Sequence, residues 1–139
     1  MTAPTTTELW FAMNSVVRDH QTEARTRIDE LVDMPFSRFR ALRRIAVKAM
    51  AQRDLADRLG VDAPAVSGIV DDLVERGLVT REPHPTDRRS KLVTITESGA
   101  RTVAEVAADP TVAPRIFDVL DDDQRTQLGR LLDVLREAD

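Results

Sequence analysis

The chain has 139 residues, with 20 Lys and Arg against 24 Asp and Glu, a formal net charge of −4. Taken whole, that acid excess points away from a generic nucleic-acid binder, which carries a basic one. The absence of cysteine excludes disulfides, thiol redox sensing and cysteine-rich zinc sites.

The length predicts one domain over 1–139, with a core of Leu, Val, Ile and Ala, because aromatic residues are few and Tyr is absent. The first residues, Met1 to Thr7, carry neither a basic cluster nor an apolar run, and no uninterrupted stretch of about 18 apolar residues follows. The expectation is a cytoplasmic protein with no membrane span.

Leu9, Met13, Val16, Val17, Ala24, Ile28 and Leu31 recur with the 3.6-residue period of an amphipathic helix. They predict a helix over 5–32, capped by Thr7 or a neighbouring Thr and stopped by Pro35. Phe36, Phe39, Leu42, Ile45 and Ala46 predict a second over 36–48, with Arg38, Arg40, Arg43 and Arg44 on its other faces. A short helix over 52–59 ends at Gly60, and Asp62 caps a fourth that carries Pro64 in its first turn and ends at Gly77. Two short helices joined by a few residues containing Gly form a helix-turn-helix, whose second helix is offered to a partner groove.

From Leu78 the period falls to two. Residues 78–82 and 91–96 read as strands around the loop Pro83 to Ser90, giving a β-hairpin with a basic tip. A helix then opens near Thr96, breaks near Asp109 at the Pro110 and Pro114 pair, resumes briefly over Ile116, Val119 and Leu120, and gives way to a last helix after Asp121-Asp122-Asp123. The fold class is mainly α with a small β-hairpin wing: a winged helix-turn-helix over 36–96 with flanking helices over 5–32 and 97–137.

Three ordered sequence words accompany this arrangement. They are Asp54-Leu55-Ala56-Asp57-Arg58-Leu59-Gly60-Val61, then Val66-Ser67-x-Ile69-Val70-Asp71-x-Leu73-x-x-Arg76-Gly77-Leu78-Val79, then Asp87-x-Arg89-x-x-x-Val93-x-Ile95-Thr96-x-x-Gly99. Together they resemble the MarR family of transcriptional regulators. The resemblance implies a homodimer built on the first and last helices, with recognition helices in successive major grooves of double-stranded DNA and wings in the adjacent minor grooves. It also implies release by a small aromatic or apolar effector. The chain departs from the family pattern in two places. The stretch Ala63 to Glu75 holds no Lys or Arg, and the proline pair interrupts a helix that should be long.

Location resolves the charge. Residues 36–91 carry net +4, residues 1–35 carry −3 and residues 92–139 carry −5, so a basic reading head lies between acidic flanks. The candidate DNA contacts are Arg38, Arg53, Ala63, Pro64, Ser67, Arg88, Arg89 and Lys91, with Asp87 supporting the wing. A solvated turn and an unpartnered surface Ser are the plainer readings of the same residues. Trp10, Met13, Met34, Phe36 and Phe39 form a candidate effector pocket, though such a cluster is also ordinary core.

No nucleophile elbow, phosphate loop or paired-carboxylate motif is present; of the two histidines, His20 and His84, the first has only Glu23 at helical spacing, and one carboxylate does not make a metal site. No catalysis, metal or cofactor is therefore expected. The resulting expectation is a homodimeric repressor of a pseudo-palindromic operator. Its rival is a winged-helix protein-interaction module without sequence-specific DNA binding, favoured by the acidic pair Asp71 and Asp72.

Overall fold

The computed structural model describes residues 1–139. The elements are α1 (Thr6–Val32), α2 (Phe36–Val47), β1 (Met50–Ala51), α3 (Gln52–Leu59), α4 (Ala63–Glu75), β2 (Val79–Pro83), β3 (Lys91–Ile95) and α5 (Glu97–Ala108). A 3₁₀ turn (Arg115–Val119) and α6 (Asp122–Glu137) follow. The chain divides into two units, Arg25–Val112 and Met1–Ala24 with Ala113–Asp139.

The Arg25–Val112 unit holds the core. Leu42 and Ile45 of α2, Leu55 of α3, Val66, Val70 and Leu73 of α4, and Val79 and Val93 of the hairpin are almost fully buried. These are the positions that helical and strand periodicity selects, so one apolar stripe per element is enough to close the unit.

The sheet has three strands in the order β1-β3-β2. The hairpin pairs Val79 with Ile95 through to Pro83 with Lys91, and β1 adds Met50 opposite Val93 and Ala51 opposite Leu92. Strand β1 has no counterpart in the sequence reading. Two residues are too short for a periodic signal, and only the free edge of β3 makes them a strand. The last residue of α2 gives way to an extended Lys48 (φ −159°) that turns the chain into this edge.

The helix ends follow from local chemistry. Thr5, not Thr7, caps α1. Its hydroxyl accepts from the Glu8 N–H at 3.1 Å, and the Glu8 carboxylate accepts from the Thr5 N–H at 2.7 Å, a reciprocal pair that satisfies two orphan donors. Both helices of the helix-turn-helix end at a left-handed glycine, Gly60 (φ 69°) and Gly77 (φ 74°). In each case the following N–H reaches back five residues, Val61 to the Ala56 carbonyl and Leu78 to the Leu73 carbonyl, both at 3.0 Å.

α5 ends at Asp109, whose carboxylate accepts from the Thr111 N–H at 2.8 Å and hydroxyl at 2.5 Å. The Thr111 bonds, with Arg27 nearby, hold the Asp109 carboxyl below the usual carboxylate range. Pro110 and Pro114 thus interrupt the helix as their missing N–H groups require. The resumption is 3₁₀ and stops at Val119, one residue before the expected Leu120. Asp121 forms a full capping box with Gln124 at the start of α6.

The unit made of Met1–Ala24 and Ala113–Asp139 contains no buried residue. Leu9, Trp10, Phe11, Val17, Val119, Leu131, Val134 and Leu135 are all exposed on it. No helix of the chain is long and apolar enough to cross a membrane.

Candidate nucleic-acid interface

Helix α4 begins where the Asp62 carboxylate accepts from the Ala65 N–H at 2.8 Å, with a proline tolerated in the first turn because that N–H has no helical partner. Val66, Ile69, Val70 and Leu73 face the core. Ala63, Pro64, Gly68 and Asp71 stand in solvent, and Ser67 is half-buried beside them.

The acidic pair on this helix is matched by cations. Arg81 of β2 reaches the Asp71 carboxylate at 2.6 Å. Asp72 takes the Arg38 Nε of α2 at 3.0 Å on one oxygen and the Arg76 Nε at 3.1 Å on the other. The Arg38 hydrogen bond first, and Arg76 second, hold the Asp72 carboxyl below the usual carboxylate range against the upward pull of partial burial.

A depressed native pKa contributes stability that is present above the unfolded value of about 3.9 and is lost as the pH falls through the native one. Asp72→Asn is therefore expected to lower stability at neutral pH by about 0.5–1 kcal/mol, the range of a solvent-touched ion pair. The difference from the parent should close below about pH 4. Urea midpoints measured from pH 3 to pH 7 check this, and a difference independent of pH would contradict it.

The wing tip is built by its own residues. The His84 Nδ1 accepts from the N–H groups of Thr86 and Asp87, each at 3.2 Å, so the neutral ring carries its proton on Nε2. The Asp87 carboxylate accepts from the Arg89 N–H at 3.0 Å, the Asp87 carbonyl accepts from Ser90 at 3.1 Å, and the Ser90 carbonyl accepts from His84 at 3.2 Å. The base of the wing is clamped by Thr96. Its hydroxyl donates to the Gly77 carbonyl at 2.7 Å and accepts from the Gly99 N–H at 3.1 Å.

The sequence-predicted residues divide into engaged and open groups. Arg38 is committed to Asp72, and Arg40 donates to the Leu59 carbonyl at 3.1 Å, satisfying the end of α3. Arg43 and Arg44 are exposed. Arg53 is 73% exposed, with its guanidinium 3.7 Å from Asp87, which joins α3 to the wing tip. Arg88, Arg89 and Lys91 are exposed, and no carboxylate pairs with them. Sequence reasoning missed Arg81 as a partner of the acid pair, because its contact needs the packing of α4 against β2. It also missed Arg76, which the i,i+4 spacing from Asp72 could have signalled. It also missed His84 as the organiser of the tip. The signal available was a ring acceptor two and three residues before free loop N–H groups, the local pattern of an Asx-type turn.

Residues 32–90 match the model of the MarR family. Over those residues the chain is similar to the MarR family. An HTH-type transcriptional regulator of Mycobacterium leprae is 35% identical over 91 residues, 64% of this chain and 63% of that protein. The chain thus spans less than two thirds of the length of the curated relative it matches. Among solved structures, a Mycobacterium tuberculosis protein is 28% identical with a TM-score of 0.67, covering 98% of this chain and 95% of that one. A MarR family transcriptional regulator from Streptomyces coelicolor, solved in complex with DNA, is 20% identical with a TM-score of 0.65, covering 99% of this chain and 91% of that one. The Mycobacterium leprae and Streptomyces coelicolor relatives are both named as transcriptional regulators.

The residues of the candidate effector pocket differ in burial. Met34 and Phe39 are packed core residues, 6% and 1% exposed. Phe36 is half-buried with the Arg25 guanidinium 4.6 Å above its ring. Trp10 and Met13 are 63% and 39% exposed on α1. A surface depression of about 560 Å³ is lined instead by Lys48, Met50, Asp57, His84, Leu92 and their neighbours. Large apolar residues near one another in sequence went to a helix crossing and to a solvent face, as helical periodicity permits for either use.

Proposed function

We propose that this protein is a homodimeric, DNA-binding transcriptional regulator that represses by occupying a pseudo-palindromic operator. The observation that carries the reading is the wing tip. Arg88, Arg89 and Lys91 stand in solvent without carboxylate partners, on a loop whose shape is held by His84, Asp87 and Ser90. Cations displayed on a rigid loop beside a presented helix suit phosphate and narrow-groove contacts. The solved Streptomyces coelicolor relative with DNA bound supports the same use of the fold.

The acid pair, which favoured a protein-interaction module, is neutralised by Arg38, Arg76 and Arg81 and no longer opposes an anionic partner. The exposed apolar residues of α1 and α6, among them Trp10, Phe11, Leu131 and Leu135, form a surface of the kind that a second copy covers. A dimer presents two recognition helices to half-sites about 34 Å, one helical turn, apart.

Binding of the full chain to randomised duplex DNA, with sequencing of the selected pool, tests the reading. An enriched inverted repeat with half-sites about 10 base pairs apart is expected. A pool with no enriched repeat would count against it.

A further inference from the structure

We propose that α4 reads thymine methyl groups in the major groove, with Ala63 and Pro64 as the apolar contacts and Ser67 as the hydroxyl reader. This rests on the DNA-binding reading above and specifies what in the operator is recognised.

The solvent side of the first turns of α4 carries Ala63, Pro64, Ala65, Gly68 and Asp71, with Ser67 beside them. Between Ala63 and Glu75 there is no Arg, Lys, Asn or Gln. The bidentate contacts that select guanine or adenine therefore have no donor or acceptor set on this helix. A carboxylate at this position could accept from the cytosine amino group, but that of Asp71 is held by Arg81 at 2.6 Å. What remains is a short apolar group of Ala63, Pro64 and Ala65 and one hydroxyl, and of these Ala63 and Pro64 lie first on the helix.

In the major groove, the C5 methyl of thymine is the apolar group that distinguishes one base pair from the others. Short side chains such as Ala and Pro reach it only if the helix backbone lies close to the base edges. Gly68, one turn beyond Pro64, makes that approach possible. A Cβ built there meets nothing within 4 Å, so the bare backbone faces open space on the side where the groove would lie. The flanking cations on the wing and on α2 then supply affinity without sequence information.

The test uses the repeat selected above and the full chain. Half-site thymines are replaced one at a time by deoxyuridine, which pairs identically and lacks only the methyl. The expected loss is about fourfold per contacted methyl, the value of one buried methylene-sized group. It should fall at one or two positions of each half-site, while thymines between the half-sites are indifferent. Ala63→Gly, at the first helical position, should bind thymine and deoxyuridine duplexes equally at the matching position.

Indifference to deoxyuridine at every half-site position overturns the inference and leaves DNA binding standing, with shape as the source of specificity. Enriched half-sites without A·T pairs overturn it equally. A pool with no enriched repeat overturns both this inference and the reading on which it rests.

Discussion

Gly99→Ala is expected to destabilise the protein by about 3 kcal/mol, the upper end of the usual cost of overpacking, and to lower its thermal midpoint by roughly 10 °C. Gly99 is buried in the first turn of α5, where an added Cβ would lie 2.1 Å from the Leu78 carbonyl oxygen and 2.8 Å from the Ile95 Cγ1. The first of these obstacles is backbone and cannot rotate aside. The same carbonyl accepts from the Thr96 N–H at 3.0 Å, and Thr96 also bonds Gly77 and caps α5. Any shift of Leu78 therefore loosens the junction of α4, the wing and α5 together.

The control is Gly68→Ala. It sits in the exposed interior of α4 with open space beyond it, where alanine should add about 0.5–1 kcal/mol through helix propensity. Thermal unfolding of both variants checks the pair. Equal and small effects at the two glycines would show that the Leu78 contact is not tight.

Replacing Arg88, Arg89 and Lys91 together by alanine is expected to weaken DNA binding by 10²–10³-fold, taking each phosphate-level cation as about tenfold near 0.1 M salt. The slope of log affinity against log salt should become shallower by about three, and by about one for Arg89→Ala alone. Binding to all sequences should suffer alike, because such contacts position the protein and carry no base preference. The fold should survive, since the tip is tied by the His84 ring, the Asp87 carboxylate and the Ser90 backbone and not by these three side chains. Titration at three salt concentrations with a fluorescent duplex measures both quantities. An unchanged slope would place the wing away from the DNA.

These two predictions draw on different kinds of information. The cations of the wing are visible in the sequence, because charge between two strand-like runs needs no tertiary contact to be noticed. The role of Gly99 is half visible: its place in the Thr96-x-x-Gly99 word is plain, and the reason for it, the Leu78 carbonyl 21 residues upstream in the turn after α4, is not. The acid pair shows the same limit in a stronger form. Asp71 and Asp72 read as repulsive to DNA until Arg38, 34 residues away, and Arg81, ten residues on, are seen against them. The aromatic cluster shows it from another side: Phe39 is packed in the core and Trp10 faces solvent, and proximity in sequence does not say which.

Local chemistry alone determined the helix boundaries of the helix-turn-helix, the left-handed stops at Gly60 and Gly77, the hairpin and the concentration of positive charge in residues 36–91, since each depends on periodicity or on neighbours within one turn. Tertiary structure decided what those charges are for. It paired Arg38 and Arg81 with carboxylates, left Arg88, Arg89 and Lys91 in solvent, made a strand of Met50–Ala51 and sent Phe39 and Met34 to the core. An ion pair between separate elements or an edge strand exists only when a partner arrives from elsewhere in the chain, and packing alone brings it there.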